Sequence, residues 1–383
     1  MKKIAIAVAA AMVGSAAAAA NVEIYGVVDL GLGYTNLDDR TGTTETFEMI
    51  NGYNSGSRFG LKGTEDLGNG YAVSFVLENG FASDSGELGQ DGRMFGREAL
   101  LKLHSPYGTL SFGRAGTIMS GAGSLDVFGG IADTLPGGWD GQFNVLNYQG
   151  NTRRYDNMVT YQTPTAAGFT GYAQYSFAND TVKGGDNDAV DNMRDTNRYV
   201  ALALTYVNGP VKAIVAYDTV MFKHYGPTVT NPAGDSLNVG DNRNITVGGS
   251  YDFGFMKVSG YVQKTEGVRS AYGFGMWNYD PSGATVNKNN DADGYNYHLG
   301  AQFPFGNNRV YVAGYYGKLD GNVPSVNGEI ENMNFLLAHE YDLSKRTMLY
   351  SGLAYHQVKA YTTSGTMEDK KATQFVAGMR HIF

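Results

Sequence analysis

The side chains with the widest chemical reach in this sequence are basic: Arg58, Lys62, Arg93, Arg97, Arg114, Arg153 and Arg154 recur inside or beside stretches that alternate polar and apolar residues. A guanidinium stays protonated at any working pH, so several on one wall make a fixed positive strip that can steer or hold anions. Other chemistries lack their residues. Cys 0 removes thiolate metal sites, thiol nucleophiles and disulfides. The histidines His104, His224, His298, His339, His356 and His381 are scattered, with no pair at metal-ligand spacing on a shared face. Neither a Gly-Lys-Ser phosphate loop nor a nucleophile elbow is present, so no catalysis, cofactor or metal is expected. Asn289, Asp291, Asp293 and Gly294 open like a calcium loop, but Gly300 stands where a bidentate Glu is needed. An ordinary solvated loop is the better reading there, as it is for Asp186, Asp188 and Asp191.

The interval from Arg114 to Arg154, about forty residues, is far longer than an ordinary connection and is therefore either functional or disordered. Ile118, Leu125, Val127, Phe128, Ile131, Leu135, Trp139, Phe143 and Leu146 make it too apolar to stay in water. It must pack against something, and a loop folded into a barrel, facing arginines on the wall, satisfies both features.

The elements that would position these groups are strands. Gly 53, Tyr 27 and Phe 19 against Pro 9 and Trp 2 suit extended segments with tight turns. Nothing in the 383 residues reads as a linker, so one large domain is expected. Lys2 and Lys3 precede an apolar run from Ile4 to Val13, and small residues end at Ala18-Ala19-Ala20, the pattern of a cleaved secretory signal over residues 1–20. That run is well short of the roughly 20 residues a spanning helix needs. The mature domain is then 21–383. Removing two of the 29 basic residues leaves 27 against 37 acidic ones, a formal charge of −10, and no basic stripe, so nucleic acid is not a partner.

Period-2 alternation places an uncharged face on strand after strand. Val22, Ile24, Gly26, Val28, Leu30, Leu32 and Tyr34 oppose Glu23, Tyr25, Val27 and Asp29; Val200, Leu202 and Leu204 oppose Tyr199, Ala201 and Ala203; Tyr297, Leu299, Ala301 and Phe303 oppose Asn296, His298, Gly300 and Gln302. A charge facing lipid near mid-membrane costs about 2–4 kcal/mol, so uncharged strips about ten residues long are what spanning strands require. The opposite face is too small and polar to be a second sheet's core. Seven tight turns are expected, at 65–70, 104–108, 164–168, 208–210, 252–254, 304–308 and 342–346. Eight long polar intervals alternate with them, around 36–54, 82–93, 115–153, 179–197, 223–242, 267–294, 320–332 and 359–371. Fifteen connections join sixteen strands. The fold expected is an all-β, 16-stranded antiparallel transmembrane barrel, and a sheet of that size encloses an aqueous channel unless something fills it.

Val22-Glu23-Ile24-Tyr25-Gly26, Ser57-Arg58-Phe59-Gly60-Leu61-Lys62-Gly63, Gly108-Thr109-Leu110-Ser111-Phe112-Gly113-Arg114, Arg154-Tyr155-Asp156-Asn157-Met158-Val159-Thr160-Tyr161 and the ending Arg380-His381-Ile382-Phe383 resemble the general porins of Gram-negative outer membranes. The resemblance implies a homotrimer passing small hydrophilic solutes and ions, with outer-membrane lipid, lipopolysaccharide and the assembly machinery as partners and Phe383 as an assembly signal. It implies an inward third loop whose acids face wall arginines, which match Arg58, Arg97 and Arg154 here. Arg97 is turned inward only by that match, since alternation with Ala99, Leu101 and Leu103 points it outward; Arg114 and Arg153 stay open between rim and constriction. Where many members carry Pro-Glu-Phe-Gly, this chain has Pro136-Gly137-Gly138-Trp139-Asp140, which leaves Asp126, Asp133 and Asp140 as candidate acids. A substrate-specific channel would need an aromatic track, and Tyr25, Tyr199, Tyr261, Tyr311 and Tyr315 could supply one. A surface adhesin would need loops richer in aromatic contact residues than these.

Overall fold

A computed structural model describes residues 21–39, 42–120, 123–135, 154–178, 196–221, 241–268, 292–323, 326–362 and 367–383. Among them, seventeen strand segments form one antiparallel sheet. In chain order they are β1 (Asn21–Asp39), β2 (Gly42–Asn51), β3 (Arg58–Gly68), β4 (Tyr71–Gly80), β5 (Glu98–Ser105), β6 (Gly108–Gly116), β7 (Arg154–Gln162), β8 (Phe169–Ser176), β9 (Arg198–Asn208), β10 (Val211–Met221), β11 (Asn242–Asp252), β12 (Lys257–Val268), β13 (Ala292–Phe305), β14 (Asn308–Val323), β15 (Val326–Asp342), β16 (Thr347–Thr362) and β17 (Met367–Ile382). β1 pairs with β2 through Leu30–Asp39 and with β3 through Asn21–Val27. β2 and β3 are therefore two halves of one stave, and the sheet has sixteen.

The ring closes where β1 meets β17, from Val27 opposite Ile382 to Asp38 opposite Lys371. Beyond that register the Gly26 and Phe383 N–H groups each donate to the other's carbonyl at 3.1 Å. The closed, 16-stranded antiparallel barrel expected from alternation is the fold found.

Alternation also separates the faces as expected. Leu202, Leu204, Ile245, Val247 and Leu299 are all about half exposed or more, while their neighbours Tyr199, Ala201, Asn244, Thr246 and Asn296 are almost fully covered. Many polar groups of the covered face bond to one another. Gln263 donates to Thr246 Oγ1 (2.8 Å), Asn296 to Gln263 Oε1 (3.1 Å), Thr265 to Asn244 Oδ1 (2.7 Å) and Asn244 to Asp218 Oδ2 (3.1 Å), a band running across β10 to β13. Between the loop ends the exposed face is apolar, as lipid requires.

All seven tight turns fall where the sequence puts them, and both ends of the described chain lie on their side of the barrel. The long-loop end differs from expectation. The intervals 36–54, 320–332 and 359–371 are largely strand: β1 and β2 meet across 40–41, β14 and β15 across 324–325, β16 and β17 across 363–366. Most of β2 is exposed on both faces, and at the tops of β14 to β17 the outward face becomes polar, so the apolar strip disappears while the backbone pairing continues. Cross-strand polar pairs take its place, among them Lys318 with Glu329 (2.6 Å), Tyr316 with Glu331 (3.0 Å) and Gln357 with Asp369 (2.8 Å). The intervals 179–197, 223–242 and 267–294, with the two acidic motifs, lie wholly or mostly outside the described residues.

Candidate pore constriction

The chain leaves the sheet after β6 at a bulge. The β6–β7 register shifts between Gly113 and Ala115, and Gly113 has a φ of 127°, a conformation open to glycine and closed to most other residues. The next segment, described at residues 117–120 and 123–135, does not run out into water. Ile118, Met119, Leu125, Phe128, Ile131 and Ala132 form one buried cluster with Tyr155, Met158, Tyr199, Ile214, Ala216 and Tyr261, which belong to the covered face of β7, β9, β10 and β12. Each buried side chain of this size contributes about 1.5–3 kcal/mol, which is why a segment this apolar holds to the wall. A single helical turn, α1 (Gly129–Ala132), presents Phe128 edge-on to Tyr261 with ring centroids 5.1 Å apart.

Polar tethers fix the segment at both ends. The Ile118 N–H donates to Gln174 Oε1 of β8 at 2.8 Å. Thr134 Oγ1 lies 2.8 Å from His298 Nε2 on β13, and His298 Nδ1 lies 3.2 Å from the Gly314 carbonyl. A carbonyl only accepts, so Nδ1 carries the proton and Nε2 accepts the Thr134 hydroxyl. His298 also stacks on Tyr315 at 4.2 Å, and Leu135 joins Tyr311, Tyr315 and Tyr350 in a second buried cluster. Tyr199, Tyr261, Tyr311 and Tyr315 are thus covered and pack against one another or the segment, rather than standing in an open track.

The arginines gather on the other part of the covered face. Arg97 precedes the first paired residue of β5, so the alternation of that strand does not reach it, and its Nε donates to Glu78 Oε1 at 2.6 Å. Arg58, the first residue of β3, sits 3.6 Å from the other oxygen of Glu78, which also accepts from Tyr25 Oη at 2.9 Å. Arg58 and Arg97 thus meet at Glu78, and Arg97 lies near enough to Arg154 to act on its charge. The carboxylates acting most on Arg58 and Arg154 are Glu78 and Glu98 of the wall. Arg154 Nε has no hydrogen-bond partner among the described residues. Arg93 and Arg114 converge on Asp156 at 3.0 and 2.6 Å. Lower on the wall, Lys62 pairs with Glu23 at 3.3 Å and lies over the Tyr25 ring.

The candidate acids are less gathered. Asp133 is buried at the end of α1, takes the Thr134 N–H at 2.7 Å and acts on Lys257 of β12. Asp126 is half-buried in the segment. Arg153, Asp140 and the Pro136–Asp140 stretch lie outside the described residues. Sequence reasoning missed Glu78, Glu98 and Asp156 as partners of the arginines. Their inward parity was readable; the cross-strand register that brings them to Arg58, Arg97 and Arg114 was not.

Known proteins agree with this architecture. The family described as Gram-negative porin matches residues 5–361. An outer membrane porin protein of Bordetella pertussis is 37% identical over 413 aligned positions covering 100% of both chains, and outer membrane porin protein 32 of Delftia acidovorans is 28% identical with the same coverage. Among solved structures, the anion-selective porin from Comamonas acidovorans superposes with a TM-score of 0.64 at 25% identity, over 95% of this chain and 100% of that one. A closed barrel with a lipid-compatible outside, joined to sequence matches along its whole length, makes this chain a member of the Gram-negative porin family, resident in the outer membrane.

Proposed function

We propose that the chain, cleaved after residue 20, assembles as a homotrimer in contact with outer-membrane lipid and lipopolysaccharide, and passes small hydrophilic solutes and ions with a mild preference for anions. As a porin it is a channel for passive diffusion. Residues 117–135, laid along the covered face of β7 to β13, narrow its lumen, and Arg58, Arg97 and Arg154 line the remaining gap. The observation that carries the reading is that Arg58 and Arg97 share the single carboxylate Glu78, while Arg154 Nε has no hydrogen-bond partner among the described residues. The anion selectivity stated for the Comamonas relative points the same way. In a narrow, partly desolvated gap such charges are screened less than at an open surface, so they orient dipolar solutes and hinder bulky apolar ones. The covered tyrosines favour general diffusion over a substrate-specific track.

Replacing Arg58 and Arg154 together by Glu is expected to swing the zero-current potential across a salt gradient towards cations, more strongly at low salt. An unchanged potential would mean that these two arginines do not line the pore.

A further inference from the structure

The interruption between β2 and β3 holds more chain than the wall can use. Asn51 stands opposite Leu30 and Arg58 opposite Val27, so residues 52–57 have only Val28 and Asp29 of β1 to face. Turned outward, this excursion would carry unpaired backbone into lipid, which is prohibitive. It turns inward instead, where Asn54 donates to Glu340 Oε1 of β15 at 2.9 Å and accepts from Arg380 of β17 at 2.7 Å.

Asp29 holds one end. Its side chain is fully buried, Oδ2 accepting the Ser55 N–H at 2.7 Å and Oδ1 the Tyr350 hydroxyl at 2.7 Å. Its carbonyl accepts from the Gly52 N–H at 3.0 Å and from the hydroxyls of Ser57 (3.2 Å) and Ser83 (2.9 Å). The other end touches the arginines. The Gly56 carbonyl accepts from Arg58 Nη1 at 2.8 Å, and a Cβ added to Gly56 would lie 2.9 Å from Arg97 Nη1.

We propose that residues 52–57 form an inward shelf that positions Arg58 and Arg97, with Asp29 as its buried pin, so that pore width and charge are set from β1 as well as from the 117–135 segment. The inference rests on the reading of these arginines as pore-lining. Asp29 is a positioning residue: its carboxylate takes the Ser55 N–H and the Tyr350 phenol at once, and its loss loosens the shelf at Ser55 while the Asp29 carbonyl still holds Gly52 and Ser57. Gly56 supplies the missing volume beside Arg97.

The test uses full-length purified protein in planar bilayers, with the heat-shifted band on gels as the check that the barrel has closed. Gly56→Val, which adds no charge, is expected to lower single-channel conductance about twofold, because flow depends on the open cross-section. Asp29→Ala is expected to raise conductance, admit larger sugars in liposome swelling and move the zero-current potential towards zero as the arginines lose their fixed positions. If Asp29→Ala does not close, Gly56→Val alone decides. Parent-like conductance and potential in closed Gly56→Val barrels overturn the proposal. A shifted potential in the Arg58/Arg154 double variant beside unaffected shelf variants refutes the shelf alone; no shift in either refutes the pore reading beneath it.

Discussion

Glu78 decides how much of the positive strip a solute meets. One carboxylate bonded to Arg97, close to Arg58 and capped by the Tyr25 hydroxyl cancels about one of three charges and fixes two side chains that would otherwise sample many rotamers. Glu78→Gln keeps the volume and removes the charge. The zero-current potential of that variant is expected to move towards anions, with a shift that shrinks as salt rises from 0.1 M, where screening acts over about 10 Å, to 1 M, where it acts over about 3 Å. A potential indifferent to this substitution would place Glu78 away from the ion path. At this scale the sequence was half legible. The parity of Glu78 with Ser74 and Val76 put it on the polar face, but the parity of Arg97 with Ala99 and Leu101 pointed the wrong way, since pairing in β5 starts only at Glu98.

The 117–135 segment behaves as an element although it has only one helical turn. Side chains hold it to the wall, Phe128 against Tyr261 and Thr134 against His298, while its own backbone bonds, such as the Phe128 N–H to the Ile118 carbonyl at 3.1 Å, stay within the segment. Phe128→Ala removes a fully buried ring, a change that costs roughly 3–5 kcal/mol in a packed core. The barrel itself, held by its pairing, should still close, while open-channel current noise rises and protease cuts the segment faster. Quiet recordings from that variant would show that the segment is held by something other than this cluster. That it must pack was readable from Ile118, Phe128 and Leu135. Which wall it meets was not, because the answer depends on inward residues of distant strands, such as His298, 164 positions from Thr134, which on a sequence is one scattered histidine among six. The tall hairpins do not read as strands for a complementary reason: their outward face carries charged residues such as Lys318, Glu329 and Glu331 where a spanning strand carries an apolar strip.

For the molecule as a whole, detergent-extracted protein is expected to give a strand-dominated circular dichroism spectrum, and a helical one would contradict the sheet. Deleting Phe383 should reduce surface-assembled protein, because Phe383 exchanges two hydrogen bonds with Gly26 and its ring occupies the space a side chain at 26 would need. Gly26→Val, which leaves the end of the chain intact, should impair closure even during refolding into detergent. If refolding proceeds at the parent's rate, the contact contributes nothing to closure. The strand number was legible because turns and uncharged strips repeat; the closing register was not, since no local pattern ties the first strand to the last.

That closing pair carries a consequence in time. Val27 waits for Ile382, so the first strand emerges from synthesis with its partner still unmade and stays without it until β17 has been made. Every intermediate on the way is an open sheet with two edges, each able to recruit another chain. Pairings this distant in sequence form slowly. A chain built this way has to be kept apart from its neighbours throughout its passage to the membrane, and the moment of greatest danger ends only when Phe383 finds its place beside Gly26.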